Sequence, residues 1–193
     1  MKTLFVGILA MFTVSVAMAS GNLKVNMADS ESEATVMKIS NSEMVNYEIK
    51  LEDAWGNQIY EMNTEIPRSE INKRYDLSNL ENGMYWYSVK TGDEEIRKQL
   101  SVNYGEVEVM DVRKTVDPYF YQDGDQIKLT YLNYESEDIR LYVYDNNTLL
   151  KEVALGKDFT IHKAIDFSDL NDGEYDVVLT NDYNIYENRV IIN

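Results

Sequence analysis

One histidine and a few acidic side chains are the residues whose types could support catalysis. His162 precedes Asp166 by four residues and Ser168 by six, and histidine, carboxylate and hydroxyl groups together can form a nucleophilic triad. No nucleophile motif surrounds the serine, and an internal copy of this segment carries Asn72 where His162 stands. We therefore interpret His162 as a surface or strand-edge side chain and predict no catalytic residue and no enzyme activity.

Acidic residues are numerous enough to raise two further kinds of chemistry. A glycosidase needs two carboxylates across a cleft, and the sequence pattern predicts no such cleft. Calcium prefers hard oxygen ligands, which the segments 169–174 and 123–125 offer. The first segment lacks the alternate spacing of an EF-hand loop, and its internal copy at 79–84 lacks most of the acids. We interpret both segments as turns and predict no metal and no cofactor.

A sequence repeat with an offset of 90 residues indicates which elements position these side chains. Asp76–Tyr85 returns as Asp166–Tyr175, and the same offset pairs Ile49 with Ile139. A constant offset over a long stretch indicates two copies of one folding unit.

Each copy shows the pattern of short strands separated by turns. Tyr47, Ile49 and Leu51 alternate with charged residues, as in a half-buried strand. About seven strands per copy predict an all-β fold of two tandem antiparallel immunoglobulin/fibronectin-III-like β-sandwiches. Val107–Val112 is expected to be the first strand of the second copy, and Asn103–Gly105 the linker before it.

The N-terminal residues predict export, and the composition limits the possible partners. Residues 1–19 resemble a signal peptide with a basic start, an apolar run and a small-x-small site before Ser20. We predict a first domain at 20–103, a second at 104–193 and no transmembrane span in the mature chain. The chain has no cysteine and a net charge of −16, which excludes disulfides and argues against nucleic acid as a partner.

The motif Leu-x-x-Gly-x-Tyr occurs once in each copy and has a mechanical interpretation. The leucine fills the end of the sandwich, the glycine permits a sharp turn, and the tyrosine packs inward with its hydroxyl bonded to nearby backbone, as in a tyrosine corner. The predicted corner residues are Leu80, Gly83 and Tyr85 in the first copy and Leu170, Gly173 and Tyr175 in the second.

This motif, with the preceding segment 55–60, resembles the immunoglobulin-like sandwiches of secreted Gram-negative proteins. Two groups share the pattern, namely small uncharacterised secreted proteins and the C-terminal sorting domains of type IX secretion. A sorting domain is normally one appendage on a large cargo, whereas two copies fill this chain, and the ending Arg189–Asn193 lacks a lysine-rich finish. The resemblance therefore implies the sandwich type more firmly than it implies sorting.

Exposed aromatic side chains are the remaining candidates for binding. Trp86 is out of phase with the inward Tyr85, and Trp55 lies in a turn. Tyr119, Phe120 and Tyr121 replace an acidic connection of the first copy, and strand alternation cannot bury all three. Tyr119–Tyr121 are expected either to contact the first domain or to form part of a ligand surface. Trp55 and Trp86 are expected to bind a sugar ring or a protein, to cover a sheet face, or to pack on the neighbouring domain.

The sequence therefore predicts an exported, non-enzymatic binding or interaction module that is periplasmic, cell-surface or secreted. Its partner would be an unknown protein or glycan at the cell envelope. Two alternatives stay open: a type IX-type sorting or surface-attachment module, and a carbohydrate-binding or carbohydrate-active protein.

Overall fold

The computed structural model describes residues 22–29, 35–77, 79–181 and 183–192. The predicted signal peptide at 1–19 and its cleavage site lie outside these residues. The described part contains fifteen strands and no helix. All strand pairs are antiparallel, so the all-β prediction is confirmed.

The first unit packs a three-stranded sheet, in the order β1-β2-β5, against a five-stranded sheet in the order β4-β3-β6-β7-β8. Its strands are β1 (Lys24–Asp29), β2 (Thr35–Val45), β3 (Glu48–Asp53), β4 (Gln58–Asn63), β5 (Arg68–Tyr75), β6 (Gly83–Thr91), β7 (Glu94–Asn103) and β8 (Glu106–Val116).

The second unit packs the sheet β13-β10-β9 against the sheet β12-β11-β14-β15. Its strands are β9 (Tyr119–Asp123), β10 (Gln126–Leu132), β11 (Ile139–Asp145), β12 (Thr148–Gly156), β13 (Thr160–Asp166), β14 (Gly173–Thr180) and β15 (Ile185–Ile192). The two units are tandem sandwiches of the predicted kind.

Period-two burial explains why these segments form strands around two separate cores. Along β6, Tyr85, Tyr87 and Val89 are buried, and along β14 the equivalent Tyr175, Val177 and Leu179 are buried. The buried residues of each unit form their own apolar cluster. Burial of apolar area contributes about 25 cal/mol per Å², so each unit has its own driving force for folding.

Tight turns use residues that tolerate a left-handed backbone. Gly56 has φ of 83° and Asn146 has φ of 52° in the turns after β3 and β11, as their residue types predict.

The greatest difference from the sequence-based expectation concerns β8. Val107–Val112 was expected to open the second copy, but β8 pairs along its length with β7 and belongs to the first unit's sheet. Asn103 pairs with Glu106, so Tyr104 and Gly105, with φ of 50° and 84°, form a two-residue hairpin turn instead of a linker. The counterpart of β1 is β9, which pairs with β10. A boundary between 103 and 104 would separate β8 from the sheet in which it pairs, and the position of the domain boundary stays a prediction.

Candidate functional site: the cleft between the two units

The motif tyrosines occupy equivalent positions at the ends of the two sandwiches. Tyr85 is 6% exposed and its hydroxyl donates to the carbonyl oxygen of Glu81 at 2.7 Å. Tyr175 is 5% exposed and donates to the carbonyl oxygen of Asn171 at 2.7 Å. A buried hydroxyl that bonds to backbone four residues upstream has the geometry of a tyrosine corner.

The other motif positions differ in detail from the mechanical interpretation. Leu80 and Leu170 pack only at the rims of their cores, whereas Leu77 and Phe167 are 6% and 1% exposed and fill the deeper positions. The repeat aligns Leu77 with Phe167, but the motif Leu-x-x-Gly-x-Tyr does not include this position.

The two motif glycines open β6 and β14 and are not in the left-handed region. A Cβ at Gly83 would meet the Tyr85 ring at 3.9 Å, and a Cβ at Gly173 would meet the Tyr175 ring at 3.8 Å. These are ordinary contact distances. The turn therefore does not require glycine's conformational freedom, contrary to the expectation.

His162 lies on the exposed side of β13. Its Nδ1 is 3.1 Å from the hydroxyl of Thr130, which is its cross-strand partner. Asp166 lies four residues further along the strand, about 13 Å away at about 3.3 Å per residue, and it accepts a hydrogen bond from the backbone N–H of Ser168. The structure does not bring the three groups together as a triad.

The acidic turns make local contacts. Asp123 accepts a hydrogen bond from Lys128 Nζ at 2.7 Å, and the Asp166–Ser168 contact lowers the pKa of the Asp166 carboxyl. Among the described residues, no three potential ligands gather as a metal site.

Trp55 is 86% exposed at the turn after β3. Its backbone N–H donates to Asp53, whose carboxylate also accepts from Asn57 and thereby holds the turn. These bonds, chiefly the one from the Asn57 side chain, lower the pKa of Asp53. The indole ring itself is free to meet a partner.

Trp86 points away from the first core and lies among cations. The guanidinium carbons of Arg97 and Arg113 are 5.0 Å and 5.3 Å from its ring centroid. Arg113 also lies 4.3 Å from the ring centroid of Tyr183, which follows β14 in the second unit. Arg113 thus connects an aromatic side chain of each unit through cation–π contacts.

Further contacts of β8 and the residues after it strengthen this joint. Lys114 Nζ is 5.3 Å from the Tyr134 ring centroid, and its backbone N–H donates to Glu135 at 3.4 Å. Within the first unit, the N–H of Asp117 after β8 donates to the Asp93 carbonyl oxygen at 2.8 Å, which fixes the end of β8 beside the joint. One strand of the first sheet therefore contacts the loop after β10 in the second unit.

The three consecutive aromatics form most of β9. Phe120 turns inward and packs on the second core, while Tyr119 and Tyr121 are 66% and 50% exposed. Lys128 Nζ is 5.8 Å from the Tyr121 ring centroid. Alternation along the strand produces this division.

Tyr119 and Phe120 lie at a cleft of about 680 Å³ between the two units. This volume falls within the usual range of ligand clefts, about 300–1,000 Å³. One wall is the start of β15 and the other belongs to the first unit; the lining residues are Lys90, Glu95, Thr115, Asp117, Pro118, Tyr119, Phe120 and Asn184–Asn188.

The cleft is acidic, contrary to the expectation that no cleft would have carboxylates on both sides. Lys90 forms an ion pair with Asp117 at 3.5 Å, and Glu95 and Glu187 also line the walls. Desolvation raises the pKa of Glu95, against the opposing charges of Arg97 and Lys90. Burial also raises the pKa of Tyr186, with further contributions first from the neighbouring Tyr131 and then from the charges of Asp117 and Glu95. A cationic group entering the cleft would be attracted to these carboxylates.

A smaller cavity of about 220 Å³ lies behind the joint, lined by Trp86, Arg97, Arg113, Glu135 and Tyr183 among others. No sequence pattern singled out Glu95, Arg113 or Tyr183. Arg113 follows the segment Val107–Val112, which was expected in the second copy and pairs with β7 instead. The significance of all three residues depends on how the units meet, which the repeat does not encode.

The comparisons with known proteins agree with an exported sandwich protein. Residues 18–103 match the sequence model of the family described as "Secretion system C-terminal sorting domain", and this range includes β1 to β7. No curated protein sequence matches the chain. No helix in the described part of the chain is long and apolar enough to cross a membrane.

Solved structures of modular proteins show weak similarity. The "Biofilm associated protein - BSP domain" is 18% identical with a TM-score of 0.30; the match covers 88% of this chain and 29% of that one. The chicken CNTN1 FN1–FN3 domains are 7% identical with a TM-score of 0.30, with 90% and 66% covered. The central fibronectin-III array of RIM-binding protein is 9% identical with a TM-score of 0.26, with 90% and 97% covered.

Fold, motif and family match together define the class. The protein is an exported chain of immunoglobulin-like sandwiches, and its first unit matches the type IX secretion sorting-domain family.

Proposed function

We propose that this protein is a non-enzymatic interaction module that binds a protein or glycan of the cell envelope in the cleft between its two units. The observation that carries the proposal is the pairing of an exposed aromatic side chain, Tyr119, with an acidic cleft. Aromatic side chains are favoured anchors at binding sites because they bury a large apolar area and still offer a polar group.

The joint between the units supports the same proposal. Arg113, held between Trp86 and Tyr183, restricts the relative movement of the two walls. A binding site whose walls are already oriented loses less entropy when its ligand binds. We therefore assign the domain contact to Arg113, which Trp86 supports from within the first unit, and the ligand surface to Tyr119, which lines the cleft.

The test compares binding to isolated outer-membrane fractions by the wild-type chain and by the Tyr119→Ser/Tyr121→Ser double variant. We expect the double variant to lose most of its binding and to keep its melting temperature, because both side chains are largely exposed. Trp55→Ser is the matched control, since it removes an exposed aromatic side chain far from the cleft in sequence. Equal binding by the double variant and the wild type would contradict the proposal.

A second candidate function follows from the family match at 18–103. The first unit would then act as a sorting or surface-attachment signal, and the cleft would be incidental. Fusing residues 1–116, which include β8, and residues 1–193 separately to a reporter in a host with type IX secretion would distinguish the two functions. Surface delivery by the shorter fusion favours sorting, and a glycan array tests the carbohydrate-binding alternative.

A further inference from the structure

The two units differ in whether a further strand pairs with the outer edge of one equivalent strand. In the first unit β7 pairs with β6 on one side and with β8 on the other. Its counterpart in the second unit, β15, pairs with β14, and no other strand among the described residues pairs with it. The position that β8 fills in the first unit is therefore open in the second.

The backbone groups at this edge can be assigned from one contact. The Ile191 carbonyl oxygen accepts a hydrogen bond from Gln122 Nε2 at 2.7 Å, so it points away from β14. Along an antiparallel strand, residues whose backbone N–H and C=O groups point toward the paired strand alternate with residues whose groups point away from it. β15 pairs with β14 without a register shift. Ile185, Glu187 and Arg189 therefore also direct their N–H and C=O groups toward the open edge.

This open edge coincides with the cleft. Asn184–Asn188 form its second-unit wall, and an added strand of five residues would extend about 17 Å along them. Glu187 lies on the edge, and Glu95 and Asp117 lie on the facing wall. Backbone N–H and C=O groups that are unpaired at a sheet edge can bind an extended polypeptide, and carboxylates beside them favour a polypeptide that carries positive charge.

The first unit shows the chemistry of a strand that fills the equivalent position. The β8 segment Val112–Val116, with the sequence Val-Arg-Lys-Thr-Val, lies opposite Lys98–Glu94. Transferred to β15 by the 90-residue offset, the arginine would lie opposite Glu187 and form an attractive cross-strand pair. In the first unit the same arginine faces Arg97.

We propose that the outer edge of β15 receives an extended, basic segment of a partner polypeptide as an added antiparallel strand, in the position that β8 occupies in the first unit. This inference rests on the proposed function, because it specifies the ligand class of the same cleft. Main-chain hydrogen bonds would supply affinity, and the carboxylates would select for basic side chains.

The probe is a capped, fluorescein-labelled peptide with Val-Arg-Lys-Thr-Val between two threonines, titrated into the chain without its predicted signal peptide. We expect saturable binding by fluorescence anisotropy, with slower amide exchange at Ile185, Glu187 and Arg189 and little change at Tyr186 and Asn188. A control peptide with glutamates in place of the arginine and lysine should bind about tenfold more weakly or worse.

Glu187→Pro tests the strand geometry because it removes an N–H that points to the open edge, and proline is tolerated at edge strands in that orientation. We expect it to weaken peptide binding by about tenfold or more, while Glu187→Gln, which keeps the N–H, should weaken it less. Circular dichroism and thermal melting test whether Glu187→Pro is folded. If it is unfolded, the amide exchange pattern of the wild-type chain with bound peptide tests the strand geometry instead.

Several results would overturn the inference. These are no binding at about 1 mM peptide, wild-type affinity in Glu187→Pro, or protection elsewhere than at the three outward amides. A β15-mediated dimer that Glu187→Pro dissolves would show that a second copy is the occupant and would also overturn it. If outer-membrane binding survives Glu187→Pro but is lost in Tyr119→Ser/Tyr121→Ser, strand addition fails and the proposed function stands.

Discussion

Two tyrosine hydroxyls show how little side-chain chemistry each unit needs to fix the end of its sandwich. Tyr85 and Tyr175 make the same 2.7 Å bond to a carbonyl oxygen four residues upstream. The two units differ in sequence at many other positions, yet they keep the same contact. This indicates that the repeated motif has a structural role.

Removing this hydroxyl has a predictable cost. Tyr175→Phe leaves the Asn171 carbonyl without its partner and should lower the free energy of unfolding by about 1 kcal/mol, whereas Tyr175→Ala also opens a cavity and should cost about 3–5 kcal/mol. Urea unfolding measures both, and Tyr121→Phe, at an exposed position, serves as the control. An unchanged unfolding midpoint in Tyr175→Ala would show that the corner assignment is wrong.

Ionisation of Glu95 opposes folding because the carboxyl group is desolvated at the cleft. Desolvation raises its pKa above the usual carboxyl value, so the folded state binds the proton more tightly than the unfolded state does. Its contribution to stability is therefore fully present below the unfolded pKa, about 4.3, and is lost as the pH rises through the folded pKa.

Glu95→Gln should consequently raise the melting temperature at pH 7, because it removes the cost of an ionised, desolvated carboxylate. The gain should shrink toward zero near pH 4, where the wild-type side chain is protonated in both states. Thermal melts across this range measure the difference, with Glu108→Gln on the exposed side of β8 as the control. A gain that is constant with pH, or a loss at pH 7, would contradict the prediction.

At the scale of elements, β8 has two roles. It completes the first sheet through its pairing with β7, and its side chains Arg113 and Lys114 contact the second unit. A strand that belongs to one sheet and contacts the other unit couples the two sandwiches more firmly than a free linker would.

Arg113→Ala should loosen this coupling without unfolding either unit. Each cation–π contact contributes about 0.5–2 kcal/mol, and the substitution removes the contacts with both Trp86 and Tyr183. Small-angle scattering should show a broader distribution of interdomain distances than in the wild type. Arg140→Ala, which breaks an exposed ion pair with Glu152 within the second unit, should leave the scattering unchanged; identical curves for all three proteins would refute the coupling role of Arg113.

The strands also show which features of the fold could be predicted from the sequence and which could not. Period-two alternation located the buried faces of β6 and β14, because burial on one face of a strand imposes that period. It could not assign β8, since Val107 and Val109 alternate equally well in either sheet and only pairing decides between them. The turn residues Tyr104 and Gly105 occupied a gap between repeats and were interpreted as a linker for that reason.

The candidate site was harder to predict than the fold. The three aromatics of β9 stood out because the first copy has nothing similar at those positions. Glu95 and Glu187 did not stand out, because one carboxylate among 34 acidic residues gains significance only from a facing wall. That wall exists because of interdomain packing, which leaves no local period in the sequence.

At the scale of the whole molecule, two sandwiches that differ at one sheet edge form a jointed pair with an acidic cleft. The first unit has its edge covered by β8 and matches the sorting-domain family. The second unit has an open edge and carries the aromatic strand β9. We therefore expect the shared architecture to provide stability and export, and the differences to provide recognition.

Site-specific photocrosslinking tests the cleft most directly. p-Benzoylphenylalanine replaces either Tyr119, which lines the cleft and is 66% exposed, or Trp55 of the first unit, which is 86% exposed. Each protein is irradiated with outer-membrane fractions. The proposed function predicts a discrete crosslinked partner from position 119 and none from position 55. The same products from both positions, or none from position 119 while the protein still binds the fractions, would contradict it.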